Sequence, residues 1–255
     1  MKTFDYLKQL YSGRNVLQNH ISLFSLIGIM VILLNNVLSG LWNKLLVNFF
    51  SVPPSSSLEL WLDMFFGFLI LIYLFGYRYR YINSVLNGGD GSLVEFNLEP
   101  FVVILKLFPM IVLWHVYMAI FTAVGTAVLM SVEHVGLYYL FASVVICLTP
   151  FLYLILIDFS KDFKYERKYF SPKLIFSFLE KYLGGVIYLF VELFVISLIP
   201  AGIISGVLFS AKFVQVETLK LGLQLAALCI GVYFAIILKY VLSRGLAELV
   251  KTNPE

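Results

Sequence analysis

The chain has 255 residues, of which 61% are hydrophobic and only 13% are charged. Soluble globular domains carry about 25% charged residues, so this composition excludes an ordinary soluble protein. A formal net charge of +3 is too small to indicate binding to nucleic acid. Backbone polar groups in lipid must be paired within the spanning structure, which leaves helices or a closed barrel. Continuous apolar runs of about 20 residues favour helices, because barrel strands alternate over about 10 residues.

The N-terminal segment, residues 1–20, precedes the first apolar run. Its charged region is too long for a signal peptide and no small-residue cleavage site follows, so we predict that it is retained. Apolar residues recur in it at helical spacing, at Phe4, Leu7, Leu10 and Tyr11. This spacing predicts a short helix over residues 3–12 that lies on the membrane surface.

Six apolar runs follow, each long enough to cross a hydrocarbon core of about 30 Å. They cover residues 21–41, 58–77, 109–130, 136–157, 184–210 and 219–242. The sequence therefore predicts an all-α, polytopic membrane helix bundle with six transmembrane helices over residues 21–242, and a C-terminal tail over residues 243–255. Amphipathic surface helices are predicted to precede the third run, over residues 100–108, and the fifth run, after Ser171-Pro172.

Basic residues are distributed unequally between the two ends of these runs. Of the 18 Lys and Arg residues, 14 lie at one set of ends, three lie at the other, and Lys106 comes just before the third run. The larger set is Lys2, Lys8, Arg14, Arg78, Arg80, Lys161, Lys164, Arg167, Lys168, Lys173, Lys181, Lys239, Arg244 and Lys251, and the smaller is Lys44, Lys212 and Lys220. The positive-inside rule then predicts cytoplasmic N- and C-termini. In the absence of an organelle-targeting pattern, a prokaryotic plasma membrane is the simplest compartment.

The loops at the basic ends carry three further patterns. The alternation in residues 78–81, Arg-Tyr-Arg-Tyr, is typical of an interfacial anchor, with rings at headgroup level and arginines reaching phosphate or water. Residues 87–91 predict a turn, and no nucleotide site, because no Lys-Ser or Lys-Thr follows the glycines. The loop 158–182 mixes basic and acidic residues, which predicts a solvated segment close to anionic phospholipid.

One motif resembles a known family. It reads Gly76-Tyr77-x-x-Arg80, then Gly88, then Leu93-x-Glu95-Phe96. This pattern is similar to the signature of a family of six-helix prokaryotic integral membrane proteins of unknown function, from which it departs at Val94, where the family has proline. Pro150 and residues 176–182 are similar to the second half of that family. The resemblance implies the six-helix architecture and no chemistry.

Two ionisable residues inside the apolar runs are the candidate functional site. Glu192 lies about half-way along the fifth run, and His115 lies at a comparable depth in the third. A charge in the middle of a bilayer costs about 2.5 to 3.5 kcal/mol on insertion scales, so such residues often serve transport or proton transfer. The alternative is that each is a buried hydrogen-bonding group that locks helices together. The sequence does not say whether the two face each other.

Small residues recur every four positions in the third, fifth and sixth runs. Examples are Ala119, Ala123 and Ala127 in the third, Ser197, Ala201 and Ser205 in the fifth, and Gly222, Ala226, Gly231 and Ala235 in the sixth. Such spacing lets helices approach closely in lipid. We therefore predict that these three helices form the centre of the bundle.

No familiar catalytic or metal-binding motif is present, so neither an enzyme nor a cofactor is predicted. We favour a non-catalytic bundle that binds lipid or assembles with other membrane subunits, either a different protein or another copy. The alternative is a transporter or channel for a small solute or ion that uses Glu192 and His115. An intramembrane lipid enzyme is a third, weaker reading.

Overall fold

The computed structural model describes residues 2–12, 15–42, 57–130, 135–214 and 216–252. Over these ranges the chain is helical and contains no strand. The helices are α1 (Lys2–Leu10), α2 (Val16–Trp42), α3 (Ser57–Leu86), α4 (Glu99–Met130), α5 (Val135–Phe159), α6 (Lys173–Ala211) and α7 (Glu217–Thr252), with a short 3-10 helix at Arg167–Phe170 before α6. All except α1 are long and apolar enough to cross a membrane, which confirms the predicted six-helix bundle.

Several helices are longer than the apolar runs that predicted them. α4 begins at Glu99 and continues through Pro109, and α6 begins at Lys173, so the expected surface helices are continuous with the helices that follow. The 39 residues of α6 span about 58 Å, nearly twice the thickness of a hydrocarbon core. Likewise α7 continues to Thr252, so most of the predicted tail is helical. These extensions all lie at one end of the bundle.

We call this end the basal end and the opposite end the distal end. The basal end holds α1, the C-terminal ends of α3, α5 and α7, and the N-terminal ends of α4 and α6. Nearly all of the largest fully buried side chains lie in the basal half: Tyr77, Tyr79, Tyr81, Tyr240, Phe151, Phe159, Leu10, Leu23, Ile82, Leu107 and Met110. The distal halves expose large apolar side chains such as Ile120, Ile146 and Ile199, as lipid-facing surfaces do.

The central helix of the bundle is α7, which packs against α1, α2, α3, α5 and α6. The pairing of α6 with α7 agrees with the small-residue prediction. The prediction was wrong for α4, which packs against α3 and α5 at the edge of the bundle, and whose Ala119, Ala123 and Ala127 are exposed. α3 takes the place expected for α4, because its large aromatic side chains fill the space between α4, α5 and α7 in the basal half.

The prediction of an interfacial anchor over residues 78–81 was also wrong. Arg78, Tyr79 and Tyr81 are buried inside the protein. Arg78 donates from Nε to the Ser243 hydroxyl at 2.5 Å, and its guanidinium lies 5.0 Å from the centre of the Tyr153 ring. Consecutive helical residues point about 100° apart, so four of them face four directions. At this level α5 and α7 flank α3, and the side chains meet protein where lipid was expected.

Candidate functional site

Glu192 of α6 binds the first turn of α1. Its side chain is 5% exposed, and its Oε2 accepts hydrogen bonds from the Thr3 backbone N–H at 3.2 Å and the Thr3 hydroxyl at 2.5 Å. The first N–H groups of a helix have no partner within the helix and carry its positive dipole end. The carboxylate of one helix therefore caps the N-terminus of another.

The middle of α6, where Glu192 lies, is not the middle of the bundle. Glu192 is close to the middle of α6, and Ala211 at the distal end of the helix follows it by 19 positions. This stretch rises about 28 Å, close to a full hydrocarbon thickness. The Tyr188 hydroxyl lies near the same carboxylate, and Oε1 is buried without a hydrogen-bond partner among the described residues. One acceptor oxygen of Glu192 is therefore left unused by those residues.

A second set of bonds holds the other end of α1. His20 of α2 bonds through Nε2 to the Leu10 carbonyl at 2.9 Å and through Nδ1 to the Tyr233 hydroxyl at 2.7 Å. A carbonyl only accepts, so Nε2 carries the proton. The Tyr11 ring stacks on His20 with ring centres 4.3 Å apart, and its hydroxyl bonds to that of Tyr233 at 3.1 Å. α1 is thus fixed at both of its ends.

Arg244 of α7 lies under the middle of α1. The side chain is 6% exposed, and its guanidinium lies 5.1 Å from the centre of the Tyr6 ring. Its Nη1 occupies the space beside Gly91, where a Cβ would be 1.2 Å away, and Gly91 has φ +80°. Nε and Nη1 have no hydrogen-bond partner among the described residues. Arg244 therefore connects α7 to α1 and to the turn at Gly91.

The turn at residues 87–92 carries a negative charge close to Arg244. The hydroxyl and backbone N–H of Ser92 donate to Asp90 Oδ1 at 2.7 Å and 2.9 Å. These two hydrogen bonds, helped by the nearby Arg244, lower the pKa of the Asp90 carboxyl. Asp90 therefore stays ionised over a wide pH range and closes the turn.

The motif residues meet in one place, between the end of α3 and the start of α4. A Cβ on Gly76 would lie 2.0 Å from the Pro100 carbonyl oxygen, so the two backbones touch. The Tyr77 hydroxyl donates to the Val94 carbonyl, and its ring stacks on Phe96 with centres 4.5 Å apart. Gly76, Tyr77 and Phe96 thus clamp the connecting loop onto α3.

The remaining motif residues complete this clamp. Arg80 pairs with Glu99 at 2.5 Å between Nε and Oε2, and it donates to the Glu95 carbonyl. The Glu95 side chain is exposed, so its backbone and not its carboxylate makes this contact. Gly88 has φ +91°, a conformation that side chains with a Cβ rarely adopt. The motif therefore serves to shape a loop.

His115 lies apart from Glu192. It is exposed on α4, and its Nδ1 bonds to the Ile111 carbonyl of its own helix at 2.7 Å. Glu192 is buried and faces α1. The structure therefore does not bring the two candidate residues together.

The basic loop before α6 is partly neutralised by its own acidic residues. Lys168 pairs with Asp158 at 3.4 Å and with Glu166 at 3.5 Å. Tyr169 donates to Asp158 at 2.7 Å, and burial together with this bond raises the pKa of its hydroxyl. Lys161 and Arg167 remain exposed.

The contacts of Glu192, His20 and Arg244 hold helices together at the basal end. Within the described ranges no group of three His, Cys, Asp or Glu residues is placed to hold a metal ion. Sequence reasoning identified Glu192 but missed Thr3, Tyr6 and Arg244, its partners and neighbours at the basal end. Arg244 lay outside the predicted runs, and Thr3 carries no signal of its own, since either residue type is common on a solvated surface.

Fold and composition together define a multi-pass helical membrane protein. No protein-family model, curated protein or solved structure matches the chain.

Proposed function

We propose that this protein is a non-catalytic assembly subunit, which packs the exposed face of α4 against a membrane-spanning helix of another subunit. The observation that carries the proposal is a repeated pair on that face, a small residue followed by a β-branched one. The pairs are Ala119-Ile120, Ala123-Val124 and Ala127-Val128. Ile120 is 56% exposed and Val124 is 58% exposed, so both side chains point away from the helices that the structure describes.

Small residues at every fourth position allow two helix backbones to approach closely. In lipid no hydrophobic effect drives helices together, so association depends on such packing and on hydrogen bonds. β-branched neighbours stiffen the surface, because their side chains have few rotamers in a helix and lose little freedom on packing. The face is therefore suited to a helix partner more than to mobile acyl chains.

His115 precedes Ala119 by one turn and adds a polar group to the same face. Because its Nδ1 donates to the Ile111 carbonyl, Nε2 is left as a hydrogen-bond acceptor. A polar atom facing lipid is costly unless it is paired. We therefore expect the partner helix to offer a hydroxyl or amide donor at this level.

A transporter remains the alternative, with weaker support. Glu192 is occupied by Thr3 and lies about one hydrocarbon thickness from the distal end of α6, which places it near the basal boundary of the lipid and away from its middle. Neither Glu192 nor His115 lines the groove between α6 and α7 that is described below. Proton-coupled flux into liposomes that Glu192→Gln abolishes would favour this alternative.

The basic bias of the ends supports the further proposal that the basal end faces the cytoplasm of a prokaryotic plasma membrane. The exposed Lys161 and Arg167 support contact with anionic headgroups on that side. Membership of the six-helix family named above stays a prediction that rests on the sequence motif alone.

The test is the mass of the full chain, extracted from its own membrane in a mild detergent. We expect a complex larger than the monomer, either a second copy or a defined partner. Ala123→Leu should reduce it to monomer, because the larger side chain separates the helices. Ala142→Leu is the matched control, since Ala142 is exposed on α5. A wild-type protein that is monomeric throughout, or a complex that survives Ala123→Leu, contradicts the proposal.

A further inference from the structure

A groove of about 550 Å³ runs between α6 and α7 in their distal halves. Its lining is apolar except for one residue, and consists of Ile204, Leu208, Gln224, Ala227, Leu228, Gly231, Val232 and Ala235. Leu208 and Leu228 are 42% and 43% exposed, so the groove opens to the outside of the bundle. Small residues on α7 make the space, because Gly231 and Ala235 leave room where larger side chains would fill it.

Two lysines continue the groove towards its distal end. Lys212 follows Leu208 by four residues and keeps helical backbone geometry, with φ −68° and ψ −25°, so it extends the row formed by Ile204 and Leu208. Lys220 precedes Gln224 by four residues on α7 and lies on the same helix face. Both lysines are exposed.

The order of these groups along the helix axis matches one lipid leaflet. From Gln224 to Ala235 α7 rises about 16 Å, close to half of a hydrocarbon core of about 30 Å. Lys220 lies about 6 Å beyond Gln224, at the level where headgroups begin. Gln224 has no hydrogen-bond partner among the described residues, and its amide can donate to an ester carbonyl at the top of an acyl chain.

We propose that this groove is a binding site for one anionic phospholipid of the distal leaflet. Lys212 and Lys220 bind its phosphate, the Gln224 amide bonds to the glycerol-ester region, and an acyl chain lies along Leu228, Gly231 and Ala235. The long lysine stems can follow the apolar surface while their ammonium groups stay at the headgroup level. This site is separate from the α4 face and does not depend on the proposed assembly.

Charge favours a lipid over a second copy of the chain. A symmetric dimer through this groove would place two lysines of one copy opposite two of the other, and like charges repel at an interface. Between Phe194 and Ala247 the sequence has one acidic residue, Glu217, whose side chain is outside the described set. An anionic headgroup would instead attract both lysines, with none of the repulsion between lysines that a second copy would create.

The experiment measures lipid retention by the full chain in detergent, using native mass spectrometry with phosphatidylglycerol or phosphatidylcholine added. We expect phosphatidylglycerol to be retained preferentially. The double variant Lys212→Ala/Lys220→Ala should weaken its binding roughly 25-fold, since each lysine near a headgroup contributes a factor of about five. Lys173→Ala/Lys251→Ala removes two exposed lysines at the basal end and is the matched control.

A second variant tests the groove without changing charge. Ala235 is an exposed residue that lines the end of the groove farthest from the lysines. Ala235→Phe fills this end and should displace the acyl chain while both lysines remain. Equal retention of the two lipids by the wild type, or full phosphatidylglycerol retention by a folded double variant, overturns the proposal. A lipid-free dimer that Ala235→Phe dissociates would assign the groove to a second copy and also overturn it. Elution volume and melting temperature show that each variant is folded.

Discussion

Glu192 shows how a residue can be found from sequence while its partner is not. An acidic residue within a long apolar run is unusual, and this drew attention to it. Its partner is a threonine 189 positions away in the chain, in a helix too short to cross a membrane. Burying a carboxylate is costly unless donors compensate, and the Thr3 hydroxyl and backbone N–H do so here. The carboxylate therefore stabilises a tertiary contact.

This contact predicts the effect of removing a single hydroxyl. Thr3→Val keeps the shape of the side chain but loses the 2.5 Å bond to Glu192, and we expect α1 docking to weaken by about 1 to 3 kcal/mol. Hydrogen exchange at the α1 amides should become faster by the factor that corresponds to this loss of docking free energy. Thr252→Val is the control, because the Thr252 hydroxyl bonds within its own helix, to the Glu248 carbonyl, and should leave α1 unchanged. Unaltered α1 exchange in Thr3→Val would contradict this account of the site.

At the scale of helices, the approach of α3 to α4 depends on one glycine. A Cβ at Gly76 would meet the backbone of Pro100, which cannot rotate away as a flexible side chain could. The chain reverses direction through the clamped loop between these helices, so a change of their spacing also displaces Tyr77 and Phe96. Close approach of two backbones is a common reason for glycine in a membrane helix.

Two glycines of α3 provide a matched comparison. We expect Gly76→Ala to destabilise the protein by about 1 to 3 kcal/mol through overpacking. Gly67→Ala should be neutral or stabilising by up to about 1 kcal/mol, since alanine is the better helix former and no atom lies within 4 Å of the added Cβ. Unfolding in mixed micelles, followed by circular dichroism, measures both. Similar stabilities for the two variants would argue against the close contact at Gly76.

The sequence predicted the six long helices and the short helix α1, because hydrophobic length and periodicity are local signals. It predicted helix before the third and fifth runs, but as separate surface helices, and it did not predict that α7 continues to Thr252. In the sequence, Arg78 and Arg244 look like residues at the membrane boundary. Only the packing of neighbouring helices in the structure shows that they are buried. The same reason explains why α4 was wrongly predicted to lie in the centre of the bundle. A row of alanines indicates that another helix can approach closely, but it does not indicate which helix does so.

At the scale of the whole molecule, the basal half is packed and the distal half presents its apolar side chains outwards. The two ends of the described chain meet in the packed half, where Arg244 of α7 lies against Tyr6 of α1. Most polar contacts between helices are found there too, including those of Glu192, Arg78 and His20. We therefore expect the basal half to unfold last.

Because both ends of the described chain, Lys2 and Thr252, lie at the basal end, positions close to them should react from the same side of a membrane. In sealed vesicles, a membrane-impermeant maleimide should label Lys8→Cys and Lys251→Cys from one side and Lys220→Cys from the other. The wild type measures the background from Cys147 and Cys229, which lie within spanning helices. Labelling of Lys8→Cys and Lys251→Cys from opposite sides would exclude the arrangement.

The bond between Thr3 and Glu192 also sets an order of events during synthesis. Thr3 is made 189 residues before its acceptor Glu192, and the Arg244 contact becomes possible later still. Contacts between such distant positions form slowly, since a long loop must close first. Until Glu192 has been made, α1 therefore remains undocked, free to meet the lipid surface or an insertion factor.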